Sequence, residues 1–285
     1  MHNAPMHFAA PPRGVPLSLR IANFFNGAAQ IGWAVFGFGM VFAWLFAARA
    51  DFSFLTFHVD GQTRGRVTSV ESTGASQNKQ RVYAHHYEYS VAGRTFQGTS
   101  YGTGEDTSEG REVAIDYDEG SPQRSRISGM RRNMFGPFAA FVLIFPAIGF
   151  VILYFATTTG AERNALLRDG ILTTGSLIRR EPTNMTVNKQ RVWQVTFEFN
   201  DRNGQRRETS ASGTDTSRLQ DEQREPLLYD PNDPEKAYVL DEAPARPRLE
   251  HGELLGRGFG VAGLLILPTI VVAFNVFMAW LTFVK

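Results

Sequence analysis

Histidine, acidic and glycine-rich positions are the places where this chain could carry chemistry. His85 and His86 are adjacent, beside Glu88. Neighbours on a strand point to opposite faces, so the two imidazoles do not converge on one metal ion. A general base also needs a partner within hydrogen-bond reach, and the sequence signals none nearby. The stretch Tyr229-Asp230-Pro231-Asn232-Asp233-Pro234 offers two carboxylates in the manner of a calcium loop. Calcium takes six or more oxygens, however, and prolines with Asp and Asn side chains make a rigid turn by themselves. Gly102-Thr103-Gly104 has the small residues of a phosphate loop, but no Lys-Ser or Lys-Thr follows and no helical pattern begins there. There is no cysteine, which removes disulfides, thiolate metal sites and cysteine nucleophiles. The expectation is a protein with no catalytic, metal-binding or cofactor-binding residues.

These positions belong to a repeat. Asn78-Lys79-Gln80-Arg81-Val82 recurs letter for letter as Asn188-Lys189-Gln190-Arg191-Val192. In the same register Gly65 answers to Gly175, Tyr83 to Trp193, Tyr87 to Phe197, Tyr89 to Phe199, and Thr99-Ser100 to Thr209-Ser210. Two copies of one module follow from this self-similarity. In each, an aromatic run alternates with period two, Tyr83, His85, Tyr87 and Tyr89 against Trp193, Val195, Phe197 and Phe199, which is the pattern of a half-buried strand. His85 takes the place of Val195 and is expected to be a packed, hydrogen-bonded core histidine, whereas Glu88 and Glu198 fall on the polar face. Ala92-Gly93 and Asn203-Gly204 supply tight turns into the next strand. Further strands are expected at 65–71, 113–117 and 125–127, with counterparts at 175–180, 226–229 and 237–239. Five short strands without an intervening helix indicate a small all-β barrel or sandwich. The two Asn-Lys-Gln-Arg stretches are expected at exposed strand entrances, either as a shared module surface or as the trace of duplication.

Between the modules the chain is apolar. Of 285 residues, 21–48, 134–157 and 254–284 form three runs long enough to cross a bilayer, the last with Glu253 and Arg257 at its entrance and Lys285 at its exit. The mean hydropathy of −0.20 averages these runs with very polar segments. Ala28, Gly32, Gly37 and Gly39 give the first run a small-residue face suited to helix packing. Pro146 is expected to kink the second run or mark a re-entrant turn. The resulting order is a disordered tail (1–20), a transmembrane helix (21–48), module 1 (49–133), a second helix (134–157), module 2 (158–253) and a third helix (254–284). Arginines near the span ends divide evenly between the two sides, so orientation is left open. Arg124, Arg126, Arg131 and Arg132 precede the second span and are candidate contacts for lipid head groups. A formal net charge of +1 argues against nucleic acid as a partner.

Module 2 also resembles a known family. Leu167-Arg168-Asp169-Gly170, Gly175, the strand through Val195-Thr196-Phe197, Gly204, Thr209-Ser210 and the closing Leu228-Tyr229-Asp230-Pro231-Asn232-Asp233-Pro234-Glu235-Lys236-Ala237 follow in an order similar to the bacterial membrane-anchored domain of unknown function 3592. The likeness spans about 165–243 and, less closely, 60–128, where Glu119-Gly120-Ser121-Pro122 departs from the turn. It implies a multi-pass protein of the bacterial inner membrane and carries no activity with it. The expected function is non-catalytic: binding or scaffolding of an unknown protein partner beside membrane lipids, with a homo-oligomer possible. The alternatives are an accessory subunit of a transporter or channel and, third, a membrane-embedded enzyme.

Overall fold

The computed structural model describes residues 9–103, 108–219, 224–243, 248–250, 253–256 and 259–284. Gly104, Arg246, Arg257, Lys285 and the first eight residues of the expected tail lie outside them. The elements in chain order are α1 (Leu17–Phe24), α2 (Gly27–Leu45), α3 (Ser53–Thr56), β1 (Gly61–Gln77), β2 (Gln80–Val91), β3 (Arg94–Thr103), β4 (Glu112–Asp118) and β5 (Ser121–Ile127). They continue with α4 (Ile144–Asp169), β6 (Ile171–Val187), β7 (Gln190–Asn200), β8 (Arg206–Gly213), β9 (Glu225–Tyr229), β10 (Ala237–Val239), β11 (Arg248–Glu250), β12 (Glu253–Leu255) and α5 (Ile266–Phe283). By packing the chain forms two compact units, Val35–Ile148 and Met1–Ala34 with Gly149–Lys285.

Each module is a five-stranded antiparallel sheet, ordered β3-β2-β1-β4-β5 in the first and β8-β7-β6-β9-β10 in the second. The repeat therefore extends to topology and to register. β1 slips against β2 between Val67 and Ser69 and again between Ser72 and Ser76. β6 slips against β7 at the equivalent places, Leu177 to Arg179 and Pro182 to Thr186. Such slips sharpen strand twist, and the sheet of module 1 curls until Tyr101, in β3, and Arg131, just past β5, exchange backbone hydrogen bonds of 2.8 and 3.0 Å.

Alternation fills the curled interior. Val67, Tyr87, Tyr89, Ile115 and Ile127 make the core of module 1. Val195, Phe197, Phe199, Leu227, Tyr229 and Val239 are prominent in that of module 2. Gly65 and Gly175 are fixed by this packing: an added Cβ would stand 2.8 Å from Ile115 in one and 2.6 Å from Leu227 in the other. Module 2 buries its outer face too, because Leu228 and Tyr238 pack with Leu19, Leu166, Leu167 and Leu254.

Among the described residues, three helical segments are long and apolar enough to cross a membrane: Gly27–Arg49, Pro137–Asp169 and Gly260–Phe283. Their bounds correct the sequence reading in four respects. Residues 17–20, assigned to a disordered tail, are the first half of helix α1, and Arg13 before it is buried. The Arg13 guanidinium donates to the carbonyls of Leu167 and Gly170, satisfying orphan acceptors at the C-terminal end of α4. The second helix does not end at residue 157 but runs to Asp169, where module 2 begins. Residues 254 and 255, assigned to the third helix, belong to strand β12 (Glu253–Leu255), paired with β11. Pro146 makes no re-entrant turn; it sits in the first turn of α4, directly after the 3-10 stretch Pro137–Leu143 of the same helical segment. Two of the four small residues on α2 are packed as expected, while Ala28 is exposed: a Cβ at Gly32 would lie 2.9 Å from Leu153, and one at Gly39 2.5 Å from the Pro146 ring.

Candidate functional site

In module 1 the polar groups are consumed by the fold. His85 is fully buried on β2, and neither ring nitrogen makes a well-formed hydrogen bond among the described residues. Burial holds its pKa below the ordinary value, partly offset by the nearby backbone of Tyr83 and Ser100. It is a packed histidine, as its register with Val195 implies, and those two backbone segments are its polar neighbours. His86 turns to the other face, its Nδ1 3.0 Å from the Thr99 hydroxyl. The Tyr87 hydroxyl lies 2.9 Å from that of Ser125, and the Ser100 hydroxyl accepts from Ile127 N–H at 2.8 Å.

Asp51 joins the two ends of this module. Its carboxylate accepts from Ser53 N–H at 2.8 Å and from Arg132 N–H at 2.7 Å. Burial alone would raise its pKa, but hydrogen bonds from Ser53, Arg132 and Asn133 outweigh it and hold the group below the ordinary range.

The four arginines have different surroundings. Arg126 pairs with Asp116 at 3.3 Å. Arg126 and Arg132 stack against the ring of Phe57, at 5.5 and 4.9 Å. Arg131 bonds Gln77. Only Arg124 of the four is classed as exposed. Cation–π and ion-pair geometry drew the others inward.

The repeated Asn-Lys-Gln-Arg is a hairpin turn with the first residues of its return strand. Asn78 and Lys79 have φ of 51° and 66°, and Asn188 and Lys189 of 50° and 65°. Positive φ at both central residues is what a type I′ hairpin requires. Asn tolerates it; Lys does so at a cost. Both stretches are exposed through Arg81 and Arg191.

Module 2 holds a cleft of about 560 Å³ between the last turns of α4 and the Tyr-Asp-Pro turn. Thr159, Glu162, Arg163 and Leu166 line it from α4, and Asp230, Asn232, Glu235, Tyr238 and Glu242 line it from the module. The turn is closed on itself: Asp230 N–H donates to Lys236 O at 3.0 Å, and the Asp230 carboxylate accepts from Asn232 N–H at 2.8 Å. Among the described residues no three His, Asp or Glu side chains are placed to hold a metal.

One cation sits at the back of this cleft. Arg163 reaches Glu242 at 3.2 Å and lies 4.9 Å from the centre of the Tyr238 ring. Burial raises the pKa of Glu242 despite the opposing pull of Arg163. Burial also pushes the Tyr238 phenol well above its ordinary value, and its hydroxyl has no hydrogen-bond partner among the described residues. Acids outnumber cations along the lining, so the cleft suits a cationic or hydrogen-bond-donating ligand. The sequence reading did not find these residues. The available signal was the spacing of Thr159, Glu162, Arg163 and Leu166, which fall on one helical face.

Comparisons with protein-family models, with curated proteins and with solved structures find no match to this chain. What stands is the architecture: two five-stranded antiparallel sheets of one topology and three helices apolar enough to cross a membrane.

Proposed function

We propose that this chain is a multi-pass protein of the bacterial inner membrane that binds or scaffolds a partner protein through its β modules, without catalysis, and that its likeness to the domain of unknown function 3592 reflects kinship. The observation that carries the reading is the cleft between α4 and the Tyr-Asp-Pro turn. A helix of spanning length builds one wall and the repeated module builds the other, so binding there is tied to the membrane surface. The acidic lining favours a basic segment of the partner.

A second reading, an accessory subunit of a transporter or channel, is supported by the helices. Only 22%, 11% and 17% of their most apolar windows are buried within the chain, so most of that surface is left for lipid, a second copy or other helices.

A photo-crosslinker on Asn232→Cys tests the first reading, because the chain has no competing cysteine. One discrete adduct in native membranes, lost when Glu162 and Glu235 are changed to Lys, supports it. No adduct at that position, together with a change in the transport or current of a co-purifying membrane complex when the chain is removed, refutes it in favour of the second.

A further inference from the structure

We propose that the outer half of the β6–β7 hairpin is a finger that docks onto an anionic lipid surface. β6 pairs with β9 only from Ile171 to Gly175, and β7 pairs with β8 only from Trp193 inward. Among the described residues, 183–192 therefore form a two-stranded arm with no third strand paired to it, roughly 15 Å long at 3.3 Å per residue, with Val192 buried at its base. Met185 and Val187, 63% and 49% exposed, stand at its tip. Lys189 stands in the turn and Arg191 on the return strand, and Arg179 and Arg180 stand at its base.

Exposed apolar residues are ordinary one at a time. What sets these apart is that module 1 builds the same arm without them. The turn dihedrals match, the two register slips match, and Thr73 donates to Val82 O as Thr183 donates to Val192 O. Yet Ala75 and Gln77 occupy the places of Met185 and Val187, and Ser69 and Val70 those of Arg179 and Arg180. The shared backbone does not require the larger tip residues; Arg180, by contrast, stacks on the Trp193 ring at 4.4 Å and has a packing role besides its charge. An apolar tip above a basic stem fits a surface with anionic head groups over an acyl boundary. Addition of a partner strand is disfavoured, because Pro182 and the two slips break the free edge of β6.

The inference rests on the reading that the helices lie in a bilayer, and the test separates the two. An environment-sensitive fluorophore is placed on Thr186→Cys, between Met185 and Val187, and on the equivalent Ser76→Cys of module 1. Each full-length protein is reconstituted in nanodiscs of phosphatidylcholine alone or with one-third phosphatidylglycerol. The expected result is a blue shift and a several-fold loss of acrylamide quenching at position 186 with phosphatidylglycerol only, reversed by high salt and by changing Arg179, Arg180, Lys189 and Arg191 to Gln. Position 76 stays quenched throughout. Equal quenching at 76 and 186 in anionic discs overturns the proposal, as does protection at 186 that ignores lipid charge, which would indicate a protein contact. Failure to enter discs at all overturns the membrane reading instead.

Discussion

The guanidinium of Arg163 bonds the carboxylate of Glu242 at 3.2 Å while the ring of Tyr238 lies against its side. Both charged side chains are about four-fifths buried, so removing one strands the other. Arg163→Met is expected to destabilise module 2 by about 2 kcal/mol, and Arg163→Met with Glu242→Gln by clearly less. Amide exchange in β9 and β10 measures this locally. Equal effects of the single and double variants would show that the pair is not coupled.

Glu242 gives module 2 a definite acid response. Its folded pKa is raised above the unfolded value. Its stability contribution is then fully present below about pH 4.3, the ordinary glutamate value, and is lost as pH rises through the folded pKa. Module 2 is expected to exchange more slowly on mild acidification, and Glu242→Gln to remove that trend.

His85 gives module 1 the opposite response. Its folded pKa is lowered, so the unfolded chain takes up the proton first. Stability is intact above about pH 6.5 and falls as pH drops through the window toward the folded pKa. His85→Val, which installs the residue that module 2 uses at this position, is expected to abolish the loss. Amide exchange in β2 and β3 between pH 7 and pH 5 is the readout. An unchanged pH profile in the variant would place the acid sensitivity elsewhere.

Asp51 closes module 1 at its base, with two backbone N–H groups on a carboxylate 5% exposed. Asp51→Ala leaves both donors unsatisfied and is expected to cost about 3 kcal/mol. Amide exchange should then rise first at Ser53 and Arg132, ahead of the strands.

The hairpin turns offer a gain. Lys79 and Lys189 hold positive φ that glycine adopts freely. Replacing either with Gly is expected to stabilise its hairpin by about 1 kcal/mol. A loss of stability would mean that the lysine side chains make contacts worth more than that backbone cost.

Much of the fold was legible because a duplicated sequence states its pattern twice. The clean alternation of Trp193, Val195, Phe197 and Phe199 identifies the strand that Tyr83, His85, Tyr87 and Tyr89 only suggest, and so places His85 in the core. The missed features depend on contacts distant in sequence. Arg13 looks like a tail residue until it meets the end of α4. The helix beyond Thr157 loses spanning hydropathy while Ala161, Glu162, Ala165 and Leu166 keep it helical. Arg126 and Arg132 read as lipid anchors because nothing local announces Asp116 or Phe57 as their partners.

The unbroken run of α4 from Ile144 to Asp169 has a mechanical consequence. At 1.5 Å per residue it is a rod of roughly 39 Å, against about 30 Å of hydrocarbon. Its polar end also carries one wall of the cleft. If the rod tilts to match a thinner bilayer, that wall tilts with it, without a hinge to absorb the motion. Because Leu166 and Leu167 at that same end pack against Leu228 and Tyr238, module 2 would turn with the rod, and its orientation to the bilayer would follow the thickness of the hydrocarbon.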